Sequence, residues 1–282
     1  MSRAKQALAR FNVGSASFHC RAGHPVKTSA KVPKLKSSSA IIGTAGWSIP
    51  AKDRDALPFT GTALQRYSRV LHGVEINSSF YRPHLASTWA RWAASVHDDF
   101  RFSVKVPKTI THQAKLIGCA ALTAEFVNDL TPLGAKLAVL LVQLPPKLGF
   151  DHAVASAFFA DLRAMTDARI VCEPRNISWF GPEADALLDR LGVARVAADP
   201  ALDAAAALPG GWRGLTYRRL HGSPLMYRSP YSNETLEAVA RLIAEEARHG
   251  AETWCIFDNT AGSAALGNAL DLAKKIASLK RQ

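Results

Sequence analysis

Acidic residues are missing from the first 52 positions of this 282-residue chain, and the first one is Asp53. The same region is rich in basic residues, since residues 1–37 contain eight of the 35 Lys and Arg. The net charge of +12 therefore falls to +4 (12 − 8) for the remainder, which is only mildly basic. We expect residues 1–39 to form a flexible basic arm and residues 40–282 to form one folded domain.

Long hydrophobic runs are also absent, and no segment reaches the ~18 apolar residues that a membrane span requires. No continuous apolar stretch near the N-terminus resembles a secretory signal, so we expect a cytoplasmic protein without a membrane partner. The four cysteines form no Cys-x-x-Cys pair, which favours reduced, buried thiols over a disulfide framework. A Gly-x-Gly-x-x-Gly motif is missing after the first predicted strand, which speaks against a dinucleotide cofactor.

Short apolar runs alternate with amphipathic stretches from residue 40 onward. Apolar residues at three- and four-residue spacing predict helices over residues 118–130, 152–165, 183–191, 234–248 and 262–279. The apolar runs predict eight strands, at residues 40–43, 73–77, 102–106, 137–143, 169–173, 195–198, 217–221 and 254–257. Strands that alternate with helices pair in parallel, so eight such units predict an α/β fold, a single-domain (β/α)8 barrel of the TIM type. An open doubly wound sheet is the alternative fold.

Polar and charged residues end several predicted strands, always on one face. Because side chains alternate between the two faces of a strand, Glu75 and Asn77 share a face, as do Arg219 and His221. The equivalent positions of the other strands are Ser103, Lys105, Gln143, Glu173 and Asp258. Barrel enzymes place their active sites at the C-terminal ends of the strands, so the pattern predicts a functional pocket at that rim.

Cations form the first group of candidate ligand-binding residues at this rim. They are Lys105, Lys108, Arg175 and Arg219. Arg holds a planar oxyanion with two parallel hydrogen bonds and Lys supplies a point charge, so the set suits a phosphate or a carboxylate group. In the alternative interpretation, Arg219 and Lys105 only neutralise nearby carboxylates, and both roles are compatible.

Carboxylates, His221 and Lys105 supply the candidate catalytic groups. We expect Glu75 and His221 to act as base and acid, because neighbouring charges shift a carboxyl pKa toward working pH. Glu173 and Lys105 are further catalytic candidates, and an inward Lys105 also suits a Schiff base with a carbonyl substrate. A divalent metal held by the acids and His221 is an alternative, but interleaved cations oppose its charge. We therefore predict no cofactor and no metal ligands.

Aromatic and amide side chains complete the predicted pocket. With Asp258 and the cations, the ligand-binding candidates are Asn77, Tyr81, Gln143, Trp179, Tyr227 and Asn259. The aromatic residues follow strand ends, where a ring can stack on a sugar or a nucleobase. Asn259 precedes the last helix, where backbone N–H groups suit a phosphate.

Several motifs occur in a fixed order along the chain. They are GTAGWS at 43–48, EINSSFY at 75–81, FSVKVPK at 102–108 with TH at 111–112, QLPP at 143–146, EPR at 173–175 with SW at 178–179, RLHG at 219–222 and FDNT at 257–260. With these motifs the chain resembles the YecE-like family, also called domain of unknown function 72, from about Ile41 to the C-terminus. The resemblance implies a single-domain α/β barrel and brings no settled activity. The chain departs from the family pattern at two positions. Asn176 stands where the pattern often has His, and Asp258 stands where it often has Asn.

The expected function is that of an enzyme, a hydrolase, lyase or isomerase of unspecified reaction. Its substrate is expected to be small and anionic, phosphorylated or nucleotide-like, and its chemistry to be metal-free acid–base catalysis at the rim. A nucleic-acid-binding protein or metal-dependent nuclease is the first alternative, with the basic arm contacting phosphates and the pocket receiving a flipped nucleotide. A non-catalytic ligand sensor is the second.

Overall fold

The computed structural model describes residues 40–281. The predicted basic arm, residues 1–39, lies outside the described residues, and its boundary stays a prediction. None of the described helices combines the length and the apolar character needed to cross a membrane.

Strands and helices alternate along the described residues. The strands are β1 (Ile41–Thr44), β2 (Gly73–Ile76), β3 (Arg101–Lys105), β4 (Leu137–Gln143), β5 (Arg169–Glu173), β6 (Val193–Arg195), β7 (Ala197–Asp199), β8 (Gly210–Gly211), β9 (Leu215–Leu220) and β10 (Glu252–Phe257). The α-helices are α1 (Ala63–Ser68), α2 (Ala86–Ala94), α3 (Ala120–Asp129), α4 (His152–Met165), α5 (Pro182–Arg190), α6 (Asn233–Arg248) and α7 (Ala265–Leu279). Side-chain caps begin two of the longest helices, since Asp151 accepts a hydrogen bond from Val154 N and Ser232 accepts one from Thr235 N.

The strands form two sheets with the orders β1-β10-β9-β7 and β2-β3-β4-β5-β6-β8. Every hydrogen-bonded pair is parallel except β6 with the two-residue strand β8. Parallel neighbours need a crossover between them, and the helices between the strands supply it. The α/β fold with parallel strands, predicted from the alternation of elements, is therefore confirmed.

The two sheets adjoin at two places. A parallel bridge joins Ala45, directly after β1, to Glu75 in β2. At the other place, Val196 alone separates β6 from β7, and its N–H donates to Cys172 O at 2.9 Å. The single strand predicted at 195–198 is thus two short strands, because the backbone changes its pairing partner here from β5 to β9.

Two glycines allow β1 and β2 to approach each other. A Cβ atom at Gly43 would lie 2.3 Å from the carbonyl oxygen of Gly73, and one at Gly73 would lie 2.3 Å from Ile41 Cγ2. No side chain fits in either place, so only glycine permits this backbone contact. The contact places Glu75 beside the segment that follows β1.

Alternate strand residues pack into two separate hydrophobic clusters. The smaller cluster consists of Ile41, Val139, Leu141, Val171, Ala194, Val196, Leu215, Tyr217, Trp254 and Ile256. In β4, Leu140 and Val142 point the other way and join the larger cluster, which includes the buried faces of the helices. The strands therefore have two buried faces. One face packs against the helices, and on the other the side chains of different strands contact one another. The polar strand ends continue this second face.

Candidate functional site

Arg219 in β9 lies at the centre of a buried ionic network. Its guanidinium donates to both oxygens of Glu75, with Nε–Oε2 and Nη2–Oε1 distances of 3.0 and 2.7 Å. Nη1 donates to Glu173 Oε2 at 2.7 Å, and Nη2 donates to Asp258 Oδ2 at 2.9 Å. One guanidinium thus binds three carboxylates, which come from β2, β5 and the residue after β10. We call this set, with His221 and Arg175, the Arg219 network.

His221, directly after β9, contacts a carboxylate through each ring nitrogen. Nδ1 lies 3.1 Å from Asp258 Oδ2, and Nε2 lies 2.9 Å from Glu173 Oε1. Arg175 Nη2 donates to the same Glu173 oxygen at 2.8 Å and lies 2.9 Å from His221 Nε2. A protonated ring donates to both carboxylates, whereas a neutral ring protonated on Nδ1 accepts from Arg175. The surroundings of His221 therefore provide hydrogen bonds for two protonation states.

The positive charges of the network keep Glu173 and Asp258 ionised. Burial alone would raise the pKa of Glu173, but the positive charges of Arg219 and Arg175 outweigh it and keep the pKa well below its usual value. Burial likewise opposes ionisation of Asp258, and Arg219 again lowers its pKa on balance. Burial would lower the pKa of Arg219, yet Glu173, Glu75 and Asp258 raise it well above its usual value. The carboxylates of Glu173 and Asp258 and the guanidinium of Arg219 are therefore charged at neutral pH.

Lys105, the last residue of β3, lies near this network without joining it. Only 8% of the residue is exposed, and its Nζ lies 4.3 Å from the centroid of the Phe80 ring. Among residues 40–281, Lys105 Nζ has no hydrogen bond and no salt bridge. Burial and the positive charge of Arg219 lower the pKa of Lys105 to about 8, although the nearby acids oppose this shift. Lys105 is thus an ammonium group that loses its proton close to neutral pH.

The accessible groups of the site differ from the buried ones. Glu75 is fully buried and Arg219 is 1% exposed, and both oxygens of Glu75 are already bonded to Arg219. The side chains of Asp258 and Arg175 are 13% and 17% exposed, so they reach the surface. Within the Arg219 network, Asp258 and Arg175 are therefore the side chains that face solvent, whereas Glu75 is enclosed.

Two residues of the site were not among the predicted candidates. Tyr217 Oη donates to Glu75 Oε2 at 2.9 Å and lies 2.8 Å from Ser103 Oγ. Burial and the negative charge of Glu75 raise the pKa of Tyr217 well above its usual value, so the phenol keeps its proton. Tyr217 shares its strand face with Arg219, and Ser103 shares one with Lys105. The alternation of side chains predicts both positions on the polar face, but neither residue was proposed as a catalytic or ligand-binding candidate.

Asn77 and Gln143 follow the pattern of the charged residues, but within residues 40–281 no side-chain hydrogen bond joins either of them to those residues, although Gln143 pairs with Glu173 across β4 and β5. Asn77 comes directly after β2, and its buried Oδ1 has no hydrogen-bond partner among the described residues. Gln143 is the last residue of β4 and is partly buried. Unpartnered buried polar atoms are uncommon in folded proteins, so Asn77 Oδ1 is an unusual acceptor beside the strand ends.

The remaining predicted residues lie around the network in different roles. Tyr227 packs its ring against that of His221, with 5.6 Å between the centroids. Trp179 is buried and donates its Nε1–H to Leu148 O at 3.0 Å. Asn259 is also buried, and its Nδ2 donates to Ser229 O at 2.9 Å. The structure thus places Tyr227 on the network and uses Trp179 and Asn259 to hold loops.

Tyr81 and Lys108 lie outside the network, where they line a neighbouring cavity together with Phe80. Tyr81 is 69% exposed and meets the Phe80 ring edge to face at 5.0 Å. Phe80 therefore connects the two regions, because the same ring also covers Lys105 Nζ.

Metal binding has no preformed ligand set in the described part of the chain. Between residues 40 and 281, no group of three or more His, Cys, Asp or Glu side chains is arranged to hold a metal ion. Glu173 accepts hydrogen bonds from Arg219 and Arg175, and Asp258 accepts one from Arg219. Cofactor content stays a prediction.

Comparison with known proteins gives one family. A family model described as "Protein of unknown function DUF72" matches residues 41–282. UPF0759 protein YecE of Escherichia coli (strain K12) is 36% identical over 120 residues, which are 43% of each chain. UPF0759 protein YunF of Bacillus subtilis (strain 168) is 31% identical over 151 residues, which are 50% of this chain and 52% of YunF. These alignments span about half, or less, of each relative.

Solved structures of the same family share the fold. A DUF72 family protein of Enterococcus faecalis V583 has a TM-score of 0.71 at 22% identity, over 85% of this chain and 96% of that one. A DUF72 family protein of Thermotoga maritima MSB8 has a TM-score of 0.68 at 24% identity, over 85% of this chain and all of that one. The family model spans nearly all of the described residues, and the motifs found in the sequence resemble the same family. The chain therefore belongs to the DUF72 family.

Proposed function

We propose that the protein is a cytoplasmic enzyme that binds a small phosphorylated substrate and moves protons without a metal, at the mouth of a closed (β/α)8 barrel. The closed barrel is supported by the two places where the sheets adjoin, the Ala45–Glu75 bridge and the change of partner at Val196. The position of the site is supported by the carboxyl ends of the strands, which carry the Arg219 network.

The unpaired ammonium of Lys105 is the observation that carries this proposal. The three carboxylates near it are bonded to Arg219, and none of them lies within 4.0 Å of Lys105 Nζ. A nearly buried charge without a counterion is costly, and an anionic ligand would supply the missing partner. Arg175 supports the same ligand, because its buried Nε has no hydrogen-bond partner among the described residues.

Lys105, Asp258 and His221 would perform the chemistry. General acid–base catalysis is most efficient when the pKa of the group lies near the working pH, and the pKa of Lys105 is about 8. Asp258 and His221 form a hydrogen-bonded pair through which a second proton can pass. Glu75 would position Arg219 instead of acting as the base expected from its strand-end position, because both of its oxygens are occupied.

Binding of ribose 5-phosphate to the Lys105→Met variant tests the proposal. A charge-assisted hydrogen bond contributes about 1.5–3 kcal/mol, so isothermal titration calorimetry at pH 7 should show affinity at least about tenfold weaker than in the parent protein. Lys274→Met is the matched control, because Lys274 is exposed and lies on α7. This control should bind as the parent does.

The pH dependence of binding checks the same residue in a second way. Because the ammonium form attracts the phosphate, affinity of the parent should fall as the pH rises through about 8 and beyond. The second pKa of a phosphate ester is about 6, so the ligand keeps its charge over this range. Lys105→Met should show no such fall. Equal affinity in the parent and Lys105→Met, or binding of a single-stranded oligonucleotide without binding of ribose 5-phosphate, would overturn the proposal.

A further inference from the structure

A cavity of about 200 Å³ lies next to the Arg219 network. Its lining comes from the segments after β2 and β3, from α2 and from α3. Phe80 belongs to the segment after β2, and its ring also covers Lys105 Nζ at 4.3 Å. The cavity and the proposed anion site are therefore separated by a single aromatic ring.

One buried donor in the lining of this cavity has no partner. Trp89 on α2 is 1% exposed, and its Nε1–H makes no hydrogen bond with any described residue. Leaving such a donor unsatisfied costs free energy, and a bound acceptor removes that cost. His84 lines the cavity too, and burial followed by the charge of Arg82 lowers its pKa, so its ring is neutral at pH 7.

The walls of the cavity are aromatic and apolar. Phe80 and Tyr81 come from the segment after β2, and Leu122 and Phe126 come from one face of α3. Tyr81 and Leu122 are 69% and 46% exposed, although both are large and apolar enough to favour burial. Such walls suit a flat, apolar ring that stacks between them.

Charged groups of both signs line the cavity. Arg82 and Lys108 lie on the strand-loop side, and Glu125 and Asp129 lie one turn apart on α3. None of the four makes a side-chain hydrogen bond or a salt bridge within residues 40–281. A ligand for this cavity would thus carry an acceptor for Trp89, donors for the two carboxylates and an anionic group on the side of Lys108.

We infer that the cavity binds the amino-bearing base of a nucleoside monophosphate, with the phosphate directed past Phe80 toward Lys108 and Lys105. A nucleobase is planar, its ring nitrogens accept hydrogen bonds, and its exocyclic amino group donates them. The position of the phosphate rests on the proposed function, whereas the position of the base rests only on the cavity. Binding of adenosine, which lacks the phosphate, therefore tests the position of the base independently of the position of the phosphate.

Calorimetric titration of the full chain with AMP, adenosine and ribose 5-phosphate tests this assignment. The parent should bind AMP at least about tenfold more tightly than ribose 5-phosphate, because stacking and the Trp89 hydrogen bond are added. Trp89→Phe keeps an aromatic ring but removes the hydrogen-bond donor. This variant should bind AMP and adenosine about five- to tenfold more weakly than the parent, and its affinity for ribose 5-phosphate should be unchanged. The matched control is Trp92→Phe, since Trp92 packs on Trp89 at 5.1 Å but does not line the cavity.

A variant at the protein surface tests the same inference in case Trp89→Phe does not fold. Exchange of Glu125 and Asp129 for Gln and Asn leaves the core intact, and it should reduce the preference for AMP over IMP, which lacks the amino group, by about fivefold. Equal binding of AMP and ribose 5-phosphate by the parent, or of AMP by the parent and a folded Trp89→Phe, would overturn the inference. If adenosine binding depends on Trp89 while ribose 5-phosphate does not bind, the base site stands and the proposed function fails.

Discussion

Glu75→Gln is a change of one charge at the most enclosed point of the Arg219 network. Glu75 is fully buried, and its two oxygens accept three hydrogen bonds, two from Arg219 and one from Tyr217. The Gln side chain has nearly the same shape but offers one acceptor oxygen and one NH2 group. The NH2 group must then face a guanidinium N–H or be accommodated by a rotated Tyr217 hydroxyl. Arg219 keeps its bonds to Glu173 and Asp258.

The expected loss of stability follows from the burial of the pair. Removing one partner of a buried salt bridge typically costs about 3–5 kcal/mol, because the other charge stays buried with fewer partners. For a domain of this size, 1 kcal/mol lowers Tm by about 2–4 °C, so Glu75→Gln should lower Tm by about 6–20 °C. Thermal unfolding followed by circular dichroism at pH 7 measures the change, and urea unfolding gives the free energy directly.

Glu125→Gln provides the comparison, since Glu125 is exposed on α3 and makes no ion pair with another described residue. Its free energy of unfolding should stay within about 0.5 kcal/mol of the parent value. A loss below about 1 kcal/mol in Glu75→Gln would contradict the assigned role, because it would mean that Arg219 does not depend on Glu75 for its buried charge.

Two further predictions concern the acid range and the loop over the site. The folded pKa of Glu173 lies below its ordinary value of 4.5, so its charged form stabilises the fold at neutral pH and this contribution is lost as the pH falls below about 4.5. Glu173→Gln should therefore flatten the fall of Tm between about pH 4.5 and 2, and an unchanged slope would refute the assignment. Gly262→Ala would place a Cβ atom 2.1 Å from Arg228 O, so it should cost about 1–3 kcal/mol of stability in urea unfolding. Gly149→Ala, with only an ordinary contact of 3.6 Å, should be neutral within about 0.5 kcal/mol, and equal losses in the two variants would contradict the packing argument.

The regular helices and strands were predictable because the spacing of apolar residues along the sequence follows the period of each element. The strands β4 and β5 have the predicted bounds, and the predicted helix at 152–165 is α4. Burial on both sides gives these strands continuous apolar runs, and turn residues mark their ends. The split of the predicted strand at 195–198 was not predictable, since the change of partner at Val196 depends on where β5 and β9 lie in space.

The site could be predicted as a set of strand faces but not as a set of contacts. Alternation of side chains identifies the face of Glu75 and that of Arg219, and the structure joins these residues at 2.7 Å. Alternation does not predict which carboxylate has both oxygens occupied by hydrogen bonds, or which cation has no partner. Both depend on distances between separate strands. Loop residues such as Trp179 have no periodicity at all, and the bond from its Nε1–H to Leu148 O has no signal in the sequence.

Stability and reactivity of the site depend on the same charges. Arg219 binds the three carboxylates whose negative charges act on Lys105, and its own positive charge lowers the pKa of Lys105. Glu75 acts in the opposite direction, since its negative charge raises that pKa. Glu75→Gln should therefore shift the loss of phosphate affinity to lower pH as well as lower Tm. A structural salt bridge distant from the ligand would change Tm alone, so the joint change would distinguish a positioning residue of the site from a merely stabilising one.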